Sequence, residues 1–262
     1  MGRFSAPPLP NSLHAEWTVR ALRAGKPVLC EKPLCGTLAE TERVLAVARE
    51  TGTLLWEAFV FPFHAQLSEI AGLLADGAIG ELREIQSSFH FKIKSSDNIR
   101  LSPALEGGAL NDVGCYPIRL AWELFGAGHE SAWATSEWGG HGVDVESWAI
   151  LGYPGGRRLL LSCGLNRSHD VFSRLLGTEG QIEISNPFHP AAGDSFRLIN
   201  GRTETRTAAT AGEPSFTAAI RHIQDVLRGE TAPRMLAIDT ALPTARALHD
   251  LLEMATARSI GI

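Results

Sequence analysis

Several things are missing from this 262-residue chain, and each absence removes a class of function. No apolar run is long enough to span a bilayer as a helix. No basic stripe is present: 24 Lys and Arg are scattered among 29 Asp and Glu, for a net charge of -5. That balance invites neither nucleic acid nor an anionic membrane. The opening MGRFSAPPLP has no apolar core and does not read as a secretory signal. Cysteine is scarce, with Cys30, Cys35, Cys115 and Cys163 forming no CxxC pair. The expectation is reduced, mostly buried thiols in a cytoplasmic protein.

Catalytic signatures are missing too. HxxxH and HExxH do not occur, and His64 and His90 lack partners at metal spacing, so no metal site is expected. No G-x-S-x-G elbow presents a serine. The GAGHES stretch at 126–131 departs from G-x-G-x-x-G at its last position and follows a helical pattern, so it is not a dinucleotide loop.

What is present is the composition of a globular protein, 44% hydrophobic and 20% charged. Residues 1–10, with three prolines, read as loop. NSLHAEWTVRALRAG then predicts a helix, capped by Asn11 or Ser12 and stopped by Gly25. KPVLC predicts a short buried strand. TLAETERVLAVARETG predicts a helix with Thr37 and Glu40 at capping-box spacing and Gly52 at its end. TLLWEAFV predicts a second strand, and PFHAQLSEIAGLLADG a third helix. This alternation is that of a parallel α/β sheet with crossover helices.

Beyond GAIGE at 77–81 the pattern changes. ELREIQSSFHFKI alternates as a long half-buried strand, and GGALNDVGCYPIRLAWELFG reads as a helix. SAWATSEW, VESWAILGYPGGRRLLLSCGL, SRLLGTEGQIEIS, SFRLIN and TETRTA read as successive strands, with YPGGRR at a hairpin tip. Helices over about 215–228 and 236–257 close the chain, and Pro243 is expected to start or kink the second.

Three short stretches could carry chemistry. In CEKPL, Lys32 follows a strand of the α/β unit, where open parallel sheets place ligands. A lysine there polarises a carbonyl or alcohol oxygen and lowers the pKa of a nearby hydroxyl. The plainer reading is a solvated Glu31–Lys32 turn. In GGALNDVGCYP, a helix puts Asp112 and Tyr116 on one face, and Gly107, Gly108 and Gly114 let backbone approach a ligand closely. The plainer reading is a core tyrosine with an acidic residue near a helix start. In PNSLH, Asn11 and His14 open a helix, whose N-terminus favours polar or anionic ligands. The plainer reading, and the better one for this stretch alone, is simple capping by Asn11 with a surface His14.

The order PNSLH, CEKPL, WEAFVFPFHAQ and GGALNDVGCYP resembles the Gfo/Idh/MocA family, in particular its dihydrodiol dehydrogenase and glucose–fructose oxidoreductase branch. The resemblance implies an NAD(P)-binding Rossmann domain followed by a domain on a large open, mainly antiparallel sheet, often a dimer interface. It implies an NAD- or NADP-dependent oxidoreductase acting on CH–OH groups of a sugar, cyclitol or trans-diol. Lys32, Tyr116 and Asp112 would be catalytic, with Tyr116 moving a proton and Lys32 holding its pKa down. Asn11, His14, Glu31, Lys32 and Pro33 would face the cofactor, with Pro33 in the cis form. Arg100, Asp112 and Tyr116 would face substrate.

Two departures accompany the resemblance. Pro62 stands where relatives commonly have Arg. The family's opening strand, Gly-rich loop and helix have no counterpart. The expectation is therefore a Rossmann remnant over 1–78 and an α+β substrate and dimerisation domain over 79–262. An alternative stays open: a catalytically incompetent homologue that dimerises as a binding or assembly protein.

Overall fold

Asn11 opens α1 (Asn11–Arg23), whose apolar stripe of Ala15, Val19 and Leu22 is buried. The structure, a computed structural model, describes residues 9–201, 203–208 and 212–259. The loop expected over residues 1–8 lies outside them. The expected side-chain cap on α1 is absent. Pro10 occupies that position, and Asn11 turns its amide to another segment. β1 (Val28–Cys30), α2 (Leu38–Thr51), β2 (Leu55–Glu57) and α3 (Ala65–Ala75) follow. Thr37 caps α2 through Glu40 N–H at 3.3 Å, as its spacing predicts. Gly52 ends that helix at φ 63°, a conformation that favours glycine.

β1 and β2 pair in parallel, with Cys30 beside Glu57. The second strand is shorter than the sequence suggests. It ends at Glu57 because Phe59 N–H bonds back to the Glu57 carbonyl at 2.8 Å, and Pro62 then sits in a tight 3-10 turn at Phe61–Phe63. α3 starts later than expected, at Ala65, with His64 Nδ1 accepting Gln66 N–H as its cap.

The remaining strands make one eight-stranded sheet. They are β3 (Leu82–Lys92), β4 (Ser131–Trp138), β5 (Asp144–Tyr153), β6 (Arg157–Gly164), β7 (Asn166–Gly177), β8 (Gln181–Ile184), β9 (Ser195–Asn200) and β10 (Thr203–Ala208). The order is β10-β9-β8-β7-β3-β6-β5-β4, and only the β3–β6 pair is parallel. The expected hairpin tip is at Pro154–Gly156, between β5 and β6.

Period-2 alternation decides the faces of this sheet. Ile85, Ala149, Leu151, Leu159, Leu161 and Leu175 are buried in one core with the two helices α4 (Cys115–Phe125) and α6 (Ala237–Ser259). Full burial of a leucine such as Leu159 contributes roughly 1.5–3 kcal/mol. The opposite face carries Trp133, Ile150, Leu160, Gln86 and Arg174 in one cross-strand row. Ile150 is 43% exposed there.

The closing helices tie the two sheets together. Ala219, Ile223 and Val226 of α5 (Ser215–Leu227) pack with Leu29, Trp56 and Phe63. Ala237 and Ala241 of α6 join the core of α1 and α2. Trp56 Nε1–H also donates to the Arg234 carbonyl at 3.0 Å. Pro243 does not start α6, which begins six residues earlier and runs through it.

Candidate active site

The register of β1 and β2 brings CEKPL to the edge of the small sheet. The Lys32–Pro33 peptide is cis, as the family resemblance implies. Lys32 leaves this turn and reaches Asp112. Its ammonium donates to the Asp112 carbonyl at 2.5 Å and to Asp112 Oδ1 at 3.1 Å. The plainer reading of a solvated Glu–Lys pair is thereby excluded, since the lysine side chain is only 12% exposed. Burial works against its charge, but Tyr116, Cys115 and Asp112 together hold its pKa above the ordinary lysine value. Lys32 is a fixed cation.

Asp112 lies in a π-helical turn, Leu110–Gly114, directly ahead of α4. The sequence predicts a plain helix here. The wider turn matters because functional side chains recur at such turns. Asp112 Oδ2 accepts from Arg100 Nε at 2.7 Å, so one carboxylate joins Lys32 and Arg100. The start of the turn is fixed from the sheet, where the buried Asp144 carboxylate accepts Leu110 N–H at 2.8 Å and Ser147 Oγ–H at 2.9 Å. Burial raises the Asp144 pKa. The glycines of this stretch also allow close approaches within the chain. Gly108, at φ 107°, lies against Asp144, and Gly107 against the Arg100 carbonyl.

Tyr116 is buried among Phe59, Phe61, Phe89 and Phe188, with ring centres 5.2 to 6.5 Å away. Lys32 Nζ lies 5.0 Å from the centre of the tyrosine ring. The expectation that lysine lowers the phenol pKa is corrected in its outcome. Burial pushes that pKa above its ordinary value, and the opposing pull of Lys32 does not outweigh it. The hydroxyl finds its partner elsewhere, at His189 Nε2, 3.2 Å away. His189 escapes sequence reasoning because it stands in the β8–β9 loop, 73 residues from Tyr116, in no motif.

The residues expected at the cofactor divide. Asn11 Nδ2–H donates to the Glu106 carbonyl at 2.7 Å. The His14 ring nitrogens lie 2.9 Å from the Pro33 and Leu9 carbonyls, so His14 braces the CEKPL turn. Pro33 is buried, and Glu31 is half-buried with no hydrogen bond or ion pair among the described residues. One buried acceptor also lacks a donor. Asn111 directs its amide N–H₂ to the Glu106 and Gly107 carbonyls and leaves Oδ1 unsatisfied.

A second polar group supports the turn from below. Glu57, at the end of β2, accepts Leu34 N–H at 2.7 Å and reaches Arg119 Nη1 at 3.5 Å. Arg119 is on α4, one turn from Tyr116, and also binds Glu123 at 2.7 Å. This buried pair links the lysine turn to the tyrosine helix. Among the described residues no group of three or more His, Cys, Asp or Glu could hold a metal, and no helix is long and apolar enough to cross a membrane.

A Rossmann-like α/β unit joined to a large, mainly antiparallel sheet defines the class. Residues 8–59 match the model of the oxidoreductase family with an NAD-binding Rossmann fold, and residues 67–183 match that of the GFO/IDH/MocA C-terminal domain. The chain belongs to the Gfo/Idh/MocA family. It is 41% identical over 224 residues to dTDP-3,4-didehydro-2,6-dideoxy-alpha-D-glucose 3-reductase of Streptomyces violaceoruber, covering 82% of this chain and 66% of the relative. It is 34% identical over 194 residues to trans-1,2-dihydrobenzene-1,2-diol dehydrogenase of Xenopus tropicalis, covering 73% of this chain and 57% of the relative. The chain thus spans two thirds or less of the length of these relatives. Among solved structures, KijD10, a 3-ketoreductase from Actinomadura kijaniata in complex with NADP and TDP-benzene, superposes at a TM-score of 0.84. It is 36% identical, over 92% of this chain and 74% of that one. That ketoreductase has also been solved with its tyrosine at one site changed to Phe and its lysine at another changed to Ala.

Proposed function

We propose that this chain carries the hydride-transfer site of an NAD(P)-dependent oxidoreductase acting on the CH–OH or keto group of a sugar-like substrate. The observation that carries this reading is the Lys32–Asp112–Tyr116 cluster, a fixed ammonium over a phenol at the end of a parallel strand. The substituted lysine and tyrosine of the ketoreductase stand 84 positions apart, as Lys32 and Tyr116 do, which supports the same pairing here.

The residues present fit a nicotinamide nucleotide. Asn111 Oδ1 is a buried acceptor without a donor, and the Glu31 carboxylate beside Lys32 is unpaired. Ribose hydroxyls or a carboxamide N–H would supply what both lack. Glu31, Lys32, Pro33 and Asn111 would hold the group, with Asn11 and His14 bracing them. When bound, it supplies the hydride acceptor or donor. Lys32 then stabilises charge on the reacting oxygen, Tyr116 moves the proton, and Asp112 with Arg100 orients the substrate's hydroxyls. Residues up to 78 form the nucleotide-facing part and residues 79–262 the substrate part. The apolar row of Trp133, Ile150 and Leu160 favours a homodimer through the sheet.

Fluorescence titration with NADPH and NADH tests the binding. Turnover of aldoses, keto-sugars and trans-diols, with and without Lys32→Met, tests the chemistry. Binding with turnover lost in the variant is the expected result. Turnover unchanged in Lys32→Met overturns the assignment. A sheet-mediated dimer with no nucleotide binding supports the assembly role instead.

A further inference from the structure

We propose that His189 is the base behind Tyr116: it takes the tyrosine's hydroxyl proton when an alcohol is oxidised and returns it when a carbonyl is reduced. This rests on the oxidoreductase reading above and adds a group to its proton path. The need for it comes from the geometry of the phenol. Lys32 gives two of its three donors to Asp112 and lies over the face of the tyrosine ring, and the hydroxyl's hydrogen bond goes to His189 instead. A buried, protonated phenol accepts a substrate proton only if its own proton has somewhere to go. The hydroxyl points at one such group, His189 Nε2 at 3.2 Å.

The loop that carries His189 is built to hold it. Asn186 Nδ2–H donates to the His189 carbonyl and to Asp194 Oδ2, each at 2.7 Å. Asp194 also accepts Ala191 N–H at 2.7 Å. The neighbouring Phe188 is fully buried and stacks on Phe89, 5.6 Å between centres and 4° between planes. The imidazole itself packs on Tyr116 and edge-on to Phe89. Its solvent-facing side is open, because the residue is exposed. The ionisable groups that face it are Tyr116 from α4 and Lys32 from the turn after β1, while Asp194 on its own loop is already bonded. Desolvation of the ring side packed on Tyr116 and Phe89, then Lys32, lowers the His189 pKa, which favours a neutral acceptor near pH 7.

The step balances. The carbinol carbon loses a hydride to the nicotinamide nucleotide, so the alcohol is oxidised and the nucleotide reduced. The carbinol O–H bond breaks and its proton forms an O–H bond on Tyr116. The former Tyr116 O–H bond breaks as an N–H bond forms on His189 Nε2. The imidazolium then releases its proton to water. Reduction runs through the same bonds in reverse.

The chain has two tyrosines, Tyr116 and Tyr153, so a Tyr153→Phe background isolates the phenol in question. In that background, with tyrosine labelled by carbon-13 at Cζ, the Tyr116 resonance is expected to shift across the His189 titration. His189→Gln should abolish the shift. A Cζ titration identical in both proteins overturns the proposal, and this measurement needs no cofactor. In the assay with NADP⁺ and D-glucose, D-xylose, myo-inositol or trans-1,2-dihydrobenzene-1,2-diol, His189→Ala is expected to lower kcat about 100-fold with KM unchanged. It should also remove the acid limb of the pH profile and be partly rescued by added imidazole. Unchanged kcat and pH profile overturn the proposal. Should no nucleotide bind and no substrate turn over, the oxidoreductase reading fails, and the carbon-13 titration alone decides the proton link.

Discussion

Asp112 holds the Lys32 ammonium through both its backbone carbonyl and its carboxylate, at 2.5 and 3.1 Å. Neither residue is then free to choose its place. The lysine comes from the small parallel sheet and the aspartate from the π-turn above the large one. A contact between the two units thereby sets where the cation stands relative to Tyr116. The ring lies 5.0 Å from it, and such a cation–π contact contributes on the order of 1–2 kcal/mol when desolvated.

Replacing Lys32 by Met should remove turnover without unfolding the chain. The carboxylate left behind still has Arg100 at 2.7 Å, so it is not stranded as an unpaired buried charge. We expect kcat to fall by about 100-fold or more. The urea midpoint should barely move. Steady-state kinetics beside a denaturation curve checks both statements.

Tyr116→Phe keeps the ring among its four aromatic neighbours and deletes one hydroxyl, whose partner His189 is exposed. Stability should change by less than about 1 kcal/mol, because no buried partner is left unsatisfied. The rate of any alcohol oxidation should fall by about 100- to 10,000-fold. Nucleotide affinity should be retained, as titration with NADPH would show.

Glu57 should give stability a distinct pH dependence. Burial raises its pKa from 4.5 to about 6, against the opposing pulls of Arg119 and the Leu34 N–H. The folded chain therefore binds this proton more tightly than the unfolded chain. The contribution is complete below about pH 4.5 and is lost as pH rises through about 6. Its size is about 2 kcal/mol. Glu57→Gln should remove it, so the unfolding free energy of wild type minus that of the variant should fall across this window. A difference that stays flat with pH contradicts the assignment.

The four cysteines should resist thiol reagents in the native state. All are free and buried. Burial pushes the Cys30 and Cys115 thiols up to about 12 and raises Cys35 and Cys163 as well. The thiolate is the reacting form, so slow modification is expected. A colorimetric thiol assay should count near zero folded and four unfolded. Rapid native reaction at Cys30 would show that the CEKPL turn opens.

The open sheet face should set the oligomeric state. Ile150 lies between Trp133 and Leu160 in the row away from the helices and is 43% exposed. A lysine there places a charge at the centre of a face we assign to a second copy. Ile150→Lys should convert a dimer to a monomer in sedimentation equilibrium while leaving the unfolding curve intact. A wild-type monomer at micromolar concentration would remove this assignment.

Much of the fold is legible in the sequence because local periodicity and turn chemistry act there. Thr37 with Glu40, Gly52, and the Pro154–Gly156 tip all do what their spacing predicts. Misreadings cluster where a distant partner wins. Asn11 gives up a capping role for the Glu106 carbonyl, 95 residues away. The strand ending at Glu57 is a local exception, cut short by a turn only two residues long, from the Phe59 N–H to the Glu57 carbonyl. Gly107 and Gly108 lie against Arg100 and Asp144, contacts that no single stretch could reveal.

The sequence by itself determined the order of elements, the family, and the identity of Lys32, Asp112 and Tyr116 as a set worth joining. Only the tertiary structure decided how they are placed and what surrounds them. Burial, a property of the whole packed core, outweighs the lysine's pull on the phenol and keeps it protonated. Packing also brought His189 to the hydroxyl and set Glu57 against Arg119. Desolvation and long-range contacts depend on what surrounds a side chain in space, and periodicity along the chain carries no record of that.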